Sequence, residues 1–95
     1  MAEINIISTI IEAISFVQEM SGEVKQEITD VTIPIQDLKG FDSQRGIETT
    51  IEIETRLNIS LPDGLNLFVS KDGTRSLNLQ EIVKQLLDIL NPKGK

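Results

Sequence analysis

Gly40-Phe41-Asp42-Ser43-Gln44-Arg45-Gly46-Ile47-Glu48, carried on through Ile59-Ser60-Leu61-Pro62-Asp63, holds a helix start, a helix body and a helix stop in one run. Asp42 or Ser43 supplies the N-cap, because a short oxygen-bearing side chain accepts one of the first free backbone N–H groups. Residues 43–58 then read as a helix carrying Ile47, Ile51, Ile53 and Leu57, with Glu48, Glu52 and Glu54 among them. At about 100° per residue these apolar positions cover an arc of about 160°, wider than one buried stripe needs, so part of it is expected to face outward. Asn58 tolerates left-handed backbone and Pro62 cannot continue a helix, so the two bracket the stop.

Upstream, Ile7, Ile10, Ile11, Ile14 and Val17 follow helical spacing, and residues 3–20 read as a first helix. Ile4 and Ile6 widen its stripe, Glu3, Glu12 and Glu19 fall among the polar positions, and Ser21-Gly22 is the stop. Residues 21–42 form a long connection without a helical period, in which Val31-Thr32-Ile33-Pro34-Ile35 reads as a short extended stretch. Its apolar residues Ile28, Val31, Ile33, Ile35 and Leu38 are expected to pin it to the core.

Downstream, residues 63–77 allow two readings. Lys71-Asp72-Gly73-Thr74 between apolar runs is a hairpin signal. The rival is a short helix near Phe68 followed by an exposed turn, which is preferred because an isolated hairpin is marginal. Residues 79–90 are the last helix, with Leu79, Ile82, Val83, Leu86, Leu87 and Leu90 in a stripe and Asn78 with Glu81 as a capping box. Asn91-Pro92 ends it, leaving Lys93-Gly94-Lys95 as a frayed tail. The pattern predicts an all-α fold: an antiparallel helical bundle of three long helices plus a short one, with a long first loop, spanning residues 1–95 as a single domain.

Composition narrows the chemistry. The chain has 95 residues, no Cys and no His, so disulfides, thiolate nucleophiles, zinc–sulfur sites and Ser–His or Cys–His catalysis are all absent. A net charge of −6 argues against nucleic acid, which needs a cationic face, and favours basic protein partners. No run of about 18 apolar residues exists to span a bilayer. Met1-Ala2-Glu3 lacks a basic targeting region, so the cytoplasm is the simplest location. Asp30, Asp37, Asp42 and Asp63 lack the spacing of a calcium loop, and no metal site is expected.

The run from Gly40 to Asp63 resembles the acyl carrier protein family without a gap. In that family a Gly-x-Asp-Ser motif opens the second helix, a Val/Ile-Glu pair follows, and the helix runs into an Ile-x-Ile/Leu-Pro-Asp-like sequence. Here the matching positions are Gly40, Asp42, Ser43, Ile47-Glu48 and Ile59 to Asp63. The resemblance covers about a quarter of the chain at motif level and nearly all of it in layout. It implies that Ser43 carries 4′-phosphopantetheine, that Asp42 helps hold the magnesium of a phosphopantetheinyl transferase, and that the cargo thiol belongs to the cofactor. It implies no catalysis by the chain itself. The chain would carry acyl, aminoacyl or polyketide intermediates as thioesters, in fatty-acid-like or secondary-metabolite biosynthesis. Partners would be the transferase, an acyl- or aminoacyl-loading ligase, and synthase or acyltransferase enzymes. They would dock on Gln44, Ile47, Glu48, Ile51 and Glu54 of a monomeric, freestanding carrier.

The chain departs from the pattern at Gln44, where the family usually has Leu, at Arg45, where fatty-acid carriers often have an acid, and in the long 63–77 connection with Lys71 and Arg75. These departures point to a specialised carrier. Taken alone, Asp42-Ser43 is an ordinary N-cap and the glutamates an ordinary solvated face. Gln44 keeps open an alternative, an unmodified carrier-like protein-interaction adaptor. A small carboxylate-using hydrolase or isomerase has no carboxylate pair spaced for a shared site.

Overall fold

The computed structural model describes residues 2–91, with side chains from Ile6 to Asn91. The side chains of Glu3 and Ile4, and the tail at Pro92-Lys93-Gly94-Lys95, lie outside the described residues. Four helices are present, α1 Ala2–Met20, α2 Pro34–Asp37, α3 Ser43–Leu57 and α4 Leu79–Leu90, with no strand among the described residues.

α1 buries Ile10, Ala13, Ile14 and Val17. It stops as its sequence dictates: the Glu23 N–H donates to the Gln18 carbonyl at 2.9 Å and the Gly22 N–H to the Glu19 carbonyl at 3.0 Å, a Schellman pair. Gly22 sits at φ +85°, which a residue without a Cβ adopts freely. α3 ends the same way on Asn58 at φ +57°, with the Ile59 N–H on the Glu54 carbonyl at 3.1 Å. α4 starts in the expected capping box. Glu81 N–H donates to Asn78 Oδ1 and Asn78 N–H to Glu81 Oε1, both at 2.9 Å.

Two expectations are corrected. The Val31–Ile35 stretch is not extended throughout, because Pro34 opens the four-residue α2. Proline already has helical φ and lacks an N–H that the first helical position would leave unpaired. The Asp37 carboxylate then accepts the Ile33 N–H at 2.8 Å. Val31 does not pin this connection, since it is 62% exposed, whereas Leu38 is buried and Ile28 and Ile35 pack against the core.

The second correction is that 63–77 contains no helix near Phe68. Val69 and Ser76 form an antiparallel bridge, with the Leu77 N–H on the Phe68 carbonyl at 3.0 Å and the Ser70 N–H on the Arg75 carbonyl at 2.8 Å. The hairpin reading is therefore right about this loop. Its closure is not isolated, because Phe68 and Leu77 at its base are both buried. Asp72 staples the tip: its Oδ1 accepts the Ser70 and Thr74 hydroxyls, each at 2.7 Å, and the Thr74 N–H at 3.1 Å. The Thr74 hydroxyl first, then the Ser70 hydroxyl and the Thr74 N–H, hold the Asp72 carboxyl down at about 2.

α1 packs against both α3 and α4. The same core takes in Leu61, Leu67, Phe68 and Leu77 of the second connection, joined by Leu38 and Phe41 from the first. No helix among the described residues is long and apolar enough to cross a membrane.

Candidate functional site

The chain reaches α3 through Gly40 and Phe41. Gly40 lies at φ +76°, a backbone conformation that favours glycine, and a Cβ there would push aside only the flexible end of Glu23. Phe41 is 3% exposed, and its ring centroid stands 5.1 Å from that of Phe68 at an interplanar angle of 59°. This tilted aromatic pair anchors the residue just before the site to the core. Asp42 follows in extended backbone as the N-cap, its Oδ1 accepting the Arg45 N–H at 2.9 Å. Ser43, the first helical residue, is exposed. Its backbone is thus fixed by the cap while its side chain meets solvent. The positive end of the α3 dipole favours an anionic group here by about 0.3–1 kcal/mol.

Two tethers fasten this corner. From α1, Gln18 Oε1 accepts from the Arg45 guanidinium at 2.9 Å, and Gln18 Nε2 donates to the Lys39 carbonyl at 2.8 Å. Glu23 adds an ion pair to Arg45 at 3.8 Å. Arg45 is therefore folded inward rather than presented as a surface cation. From the second connection, Asn66 Nδ2 donates to the Ser43 carbonyl at 3.1 Å while Asn66 Oδ1 accepts the Phe68 N–H at 2.9 Å. Gly46 is buried against that amide, and an added Cβ would come within 2.6 Å of Asn66 Oδ1. One turn further on, the Thr50 hydroxyl donates to the Gly46 carbonyl at 2.9 Å and accepts the Leu67 N–H at 3.0 Å.

Of the docking residues expected from the sequence, Gln44 and Glu48 are exposed, Ile51 is 57% exposed and Ile47 is half-buried. Their spacing puts them on one side of α3. Glu54 is set apart from this group. Its carboxylate is half-buried and accepts the Leu61 N–H at 2.6 Å, closing the turn after the helix. Glu52 pairs with Arg56 at 2.7 Å, and Arg56 also reaches Glu12 at 3.4 Å and lies 5.4 Å from the Phe16 ring centroid. Glu48 is thus the α3 glutamate left facing solvent without such a bond among the described residues. In the second connection Arg75 pairs with Glu81 at 3.0 Å. The Asn78 N–H and then Arg75 hold the Glu81 carboxyl below the usual range.

Sequence reasoning missed Asn66, Thr50 and the role of Gly46. One signal was available: a glycine in the first turns of an otherwise good helix marks close approach by another segment. Which segment approaches is not readable from spacing. No protein-family model matches the chain, and comparison with curated proteins and with solved structures likewise finds no match.

Proposed function

We propose that this protein is a carrier of the acyl carrier type, built on an antiparallel helical bundle. Ser43 accepts 4′-phosphopantetheine from coenzyme A, and the bound arm carries acyl, aminoacyl or polyketide intermediates as thioesters to separate enzymes. The observation that carries the reading is an exposed serine at the first position of α3, directly after its Asp42 cap and within the Gly40–Asp63 pattern. The residues fit the group: the serine is accessible, the helix end is positive, and the chain has no thiol of its own to compete with the arm.

In loading, Ser43 Oγ bonds to the pantetheine-side phosphorus of the coenzyme A pyrophosphate. The bridging P–O bond breaks, adenosine 3′,5′-bisphosphate leaves, and the serine proton passes to a base of the transferase. The chain has no histidine to serve as that base, so the transferase supplies it. Asp42 Oδ1 is occupied by its cap bond, so the magnesium of the transferase would meet the carboxylate at its other oxygen. Gln44, Ile47, Glu48 and Ile51 form the docking face for the transferase and for the loading ligase and synthase or acyltransferase. Glu54 contributes to that face only when its bond to Leu61 opens.

Intact mass tests the reading, on apo protein incubated with coenzyme A and a broad-specificity phosphopantetheinyl transferase. One phosphopantetheine is expected on the wild type and none on Ser43→Ala, which keeps its fold. Exposed Gln44 supports the adaptor as the second reading, because the family's apolar contact is missing there. Protein from its native host that carries no phosphopantetheine, and takes none up, selects the adaptor.

A further inference from the structure

The second connection reaches the modified residue itself, through Asn66. The amide makes two bonds in opposite senses, donating to the Ser43 carbonyl at 3.1 Å and accepting the Phe68 N–H at 2.9 Å. A neutral amide can do both from one side chain, whereas a carboxylate has no donor and an ammonium no acceptor. Gly46 leaves room for it, with an added Cβ falling 2.6 Å from Oδ1 and 2.9 Å from Nδ2. Phe68, whose N–H is held, is the ring that packs on Phe41 one residue before the Asp42 cap. Asn66 therefore closes a ring of contacts through Phe68, Phe41, Asp42 and Ser43.

Resting on the carrier reading, we infer that Asn66 is a positioning residue for phosphopantetheinylation: it fixes the Ser43 backbone, and hence the hydroxyl, in the orientation the transferase requires. Gly46 serves the same end by admitting the amide. The Thr50 bond to the Leu67 N–H holds the same connection but does not touch Ser43, which makes it the control. A group displaced by a fraction of an ångström still binds but reacts slowly, so the effect belongs in kcat rather than in KM.

The test is steady-state loading of apo protein by a broad-specificity transferase with coenzyme A, read by intact mass, with thermal unfolding followed in parallel. Asn66→Asp keeps the acceptor for Phe68 and loses the donor to Ser43. Its kcat is expected to fall about tenfold with KM for the carrier within about twofold of wild type. Thr50→Val is expected to melt earlier and load with unchanged kcat. Gly46→Ala, which displaces the same amide, is the second variant should Asn66→Asp fail to fold, and the same loss in kcat is expected. Unchanged kcat in a folded Asn66→Asp protein overturns the inference, as does an equal kcat loss in Thr50→Val, which would make the effect one of general loop stability. Both results leave the carrier reading standing. A wild type that does not load sinks that reading and this inference together.

Discussion

The two long connections of this protein are held by different chemistry. The one between α3 and α4 is held by burial: Leu61, Leu67, Phe68 and Leu77 all lie in the core. The first half of the one between α1 and α3 carries Val24 and Val31 at 73% and 62% exposure and is fastened by side-chain amides. Gln26 Oε1 accepts the Lys39 N–H at 2.8 Å, and Gln18 spans from the Lys39 carbonyl to Arg45. A buried Phe or Leu is worth about 1.5–3 kcal/mol and a net hydrogen bond about 1, so this first half, ahead of the buried Leu38 and Phe41, is the softer stretch. The start of α3 is tied to both. Ser43 therefore has a firm wall on the Asn66 side and a yielding one on the Gln18 side, and local opening there would change its surroundings without unfolding the domain.

The comparison breaks most visibly at Phe68. Phe68→Ala should cost about 3–5 kcal/mol, a large share of the stability of a domain this size. A lowered urea midpoint at unchanged slope is the expected result, and a loss near zero would mean the second connection is not held by burial. Gln18→Ala should cost less, about 1–2 kcal/mol, because it removes two polar ties and leaves the Lys39 carbonyl only the longer bond from Gln26 Nε2 at 3.4 Å. Native-state hydrogen exchange should then speed up across 23–39 while the Leu67 and Leu77 amides stay protected. Uniform acceleration would show that the two connections open as one unit.

The smallest effect concerns pH. The Asp72 carboxyl sits at about 2, below its unfolded value of 3.8, so its contribution is complete above about pH 4 and lost as pH falls through about 2. Glu81 is shifted in the same direction and loses its contribution in acid as well. Between pH 5 and pH 2 the urea midpoint of the wild type should fall more steeply than that of Asp72→Ala. Parallel curves would show instead that the hairpin tip is uncoupled from global stability.

How much was legible depended on whether a signal was local. The Asn78–Glu81 capping box, the Ser21-Gly22 and Asn58 stops and an α3 cap at Asp42 or Ser43 were all readable, because each is a bond between groups at most a few residues apart. Pro34 reads as a residue kept out of a sheet interior but starts a helix, since proline φ suits both extended and helical backbone and the choice falls to its neighbours. An isolated hairpin is marginal, yet Phe68 and Leu77 give this one a buried base that no local signal announces. The wide apolar arc of α3 correctly implied an outward part, and the structure leaves Ile51 exposed and Ile47 half-buried while sending Ile53 inward.

The sequence by itself determined the all-α class, three long helices nearly to the residue, the placement of Ser43 at a helix start, and the absence of thiol and imidazole chemistry. These follow from periodicity, capping and residue counts, which act over one or two turns of chain. Tertiary structure alone decided that Arg45 turns inward to Gln18, that Glu54 is spent on the Leu61 N–H, and that Asn66 reaches the Ser43 carbonyl. The partners in the first and last of these are more than twenty residues apart in sequence. A long polar side chain reaches many backbone groups of a folded chain. Which one it takes is set by where the core brings the segments together.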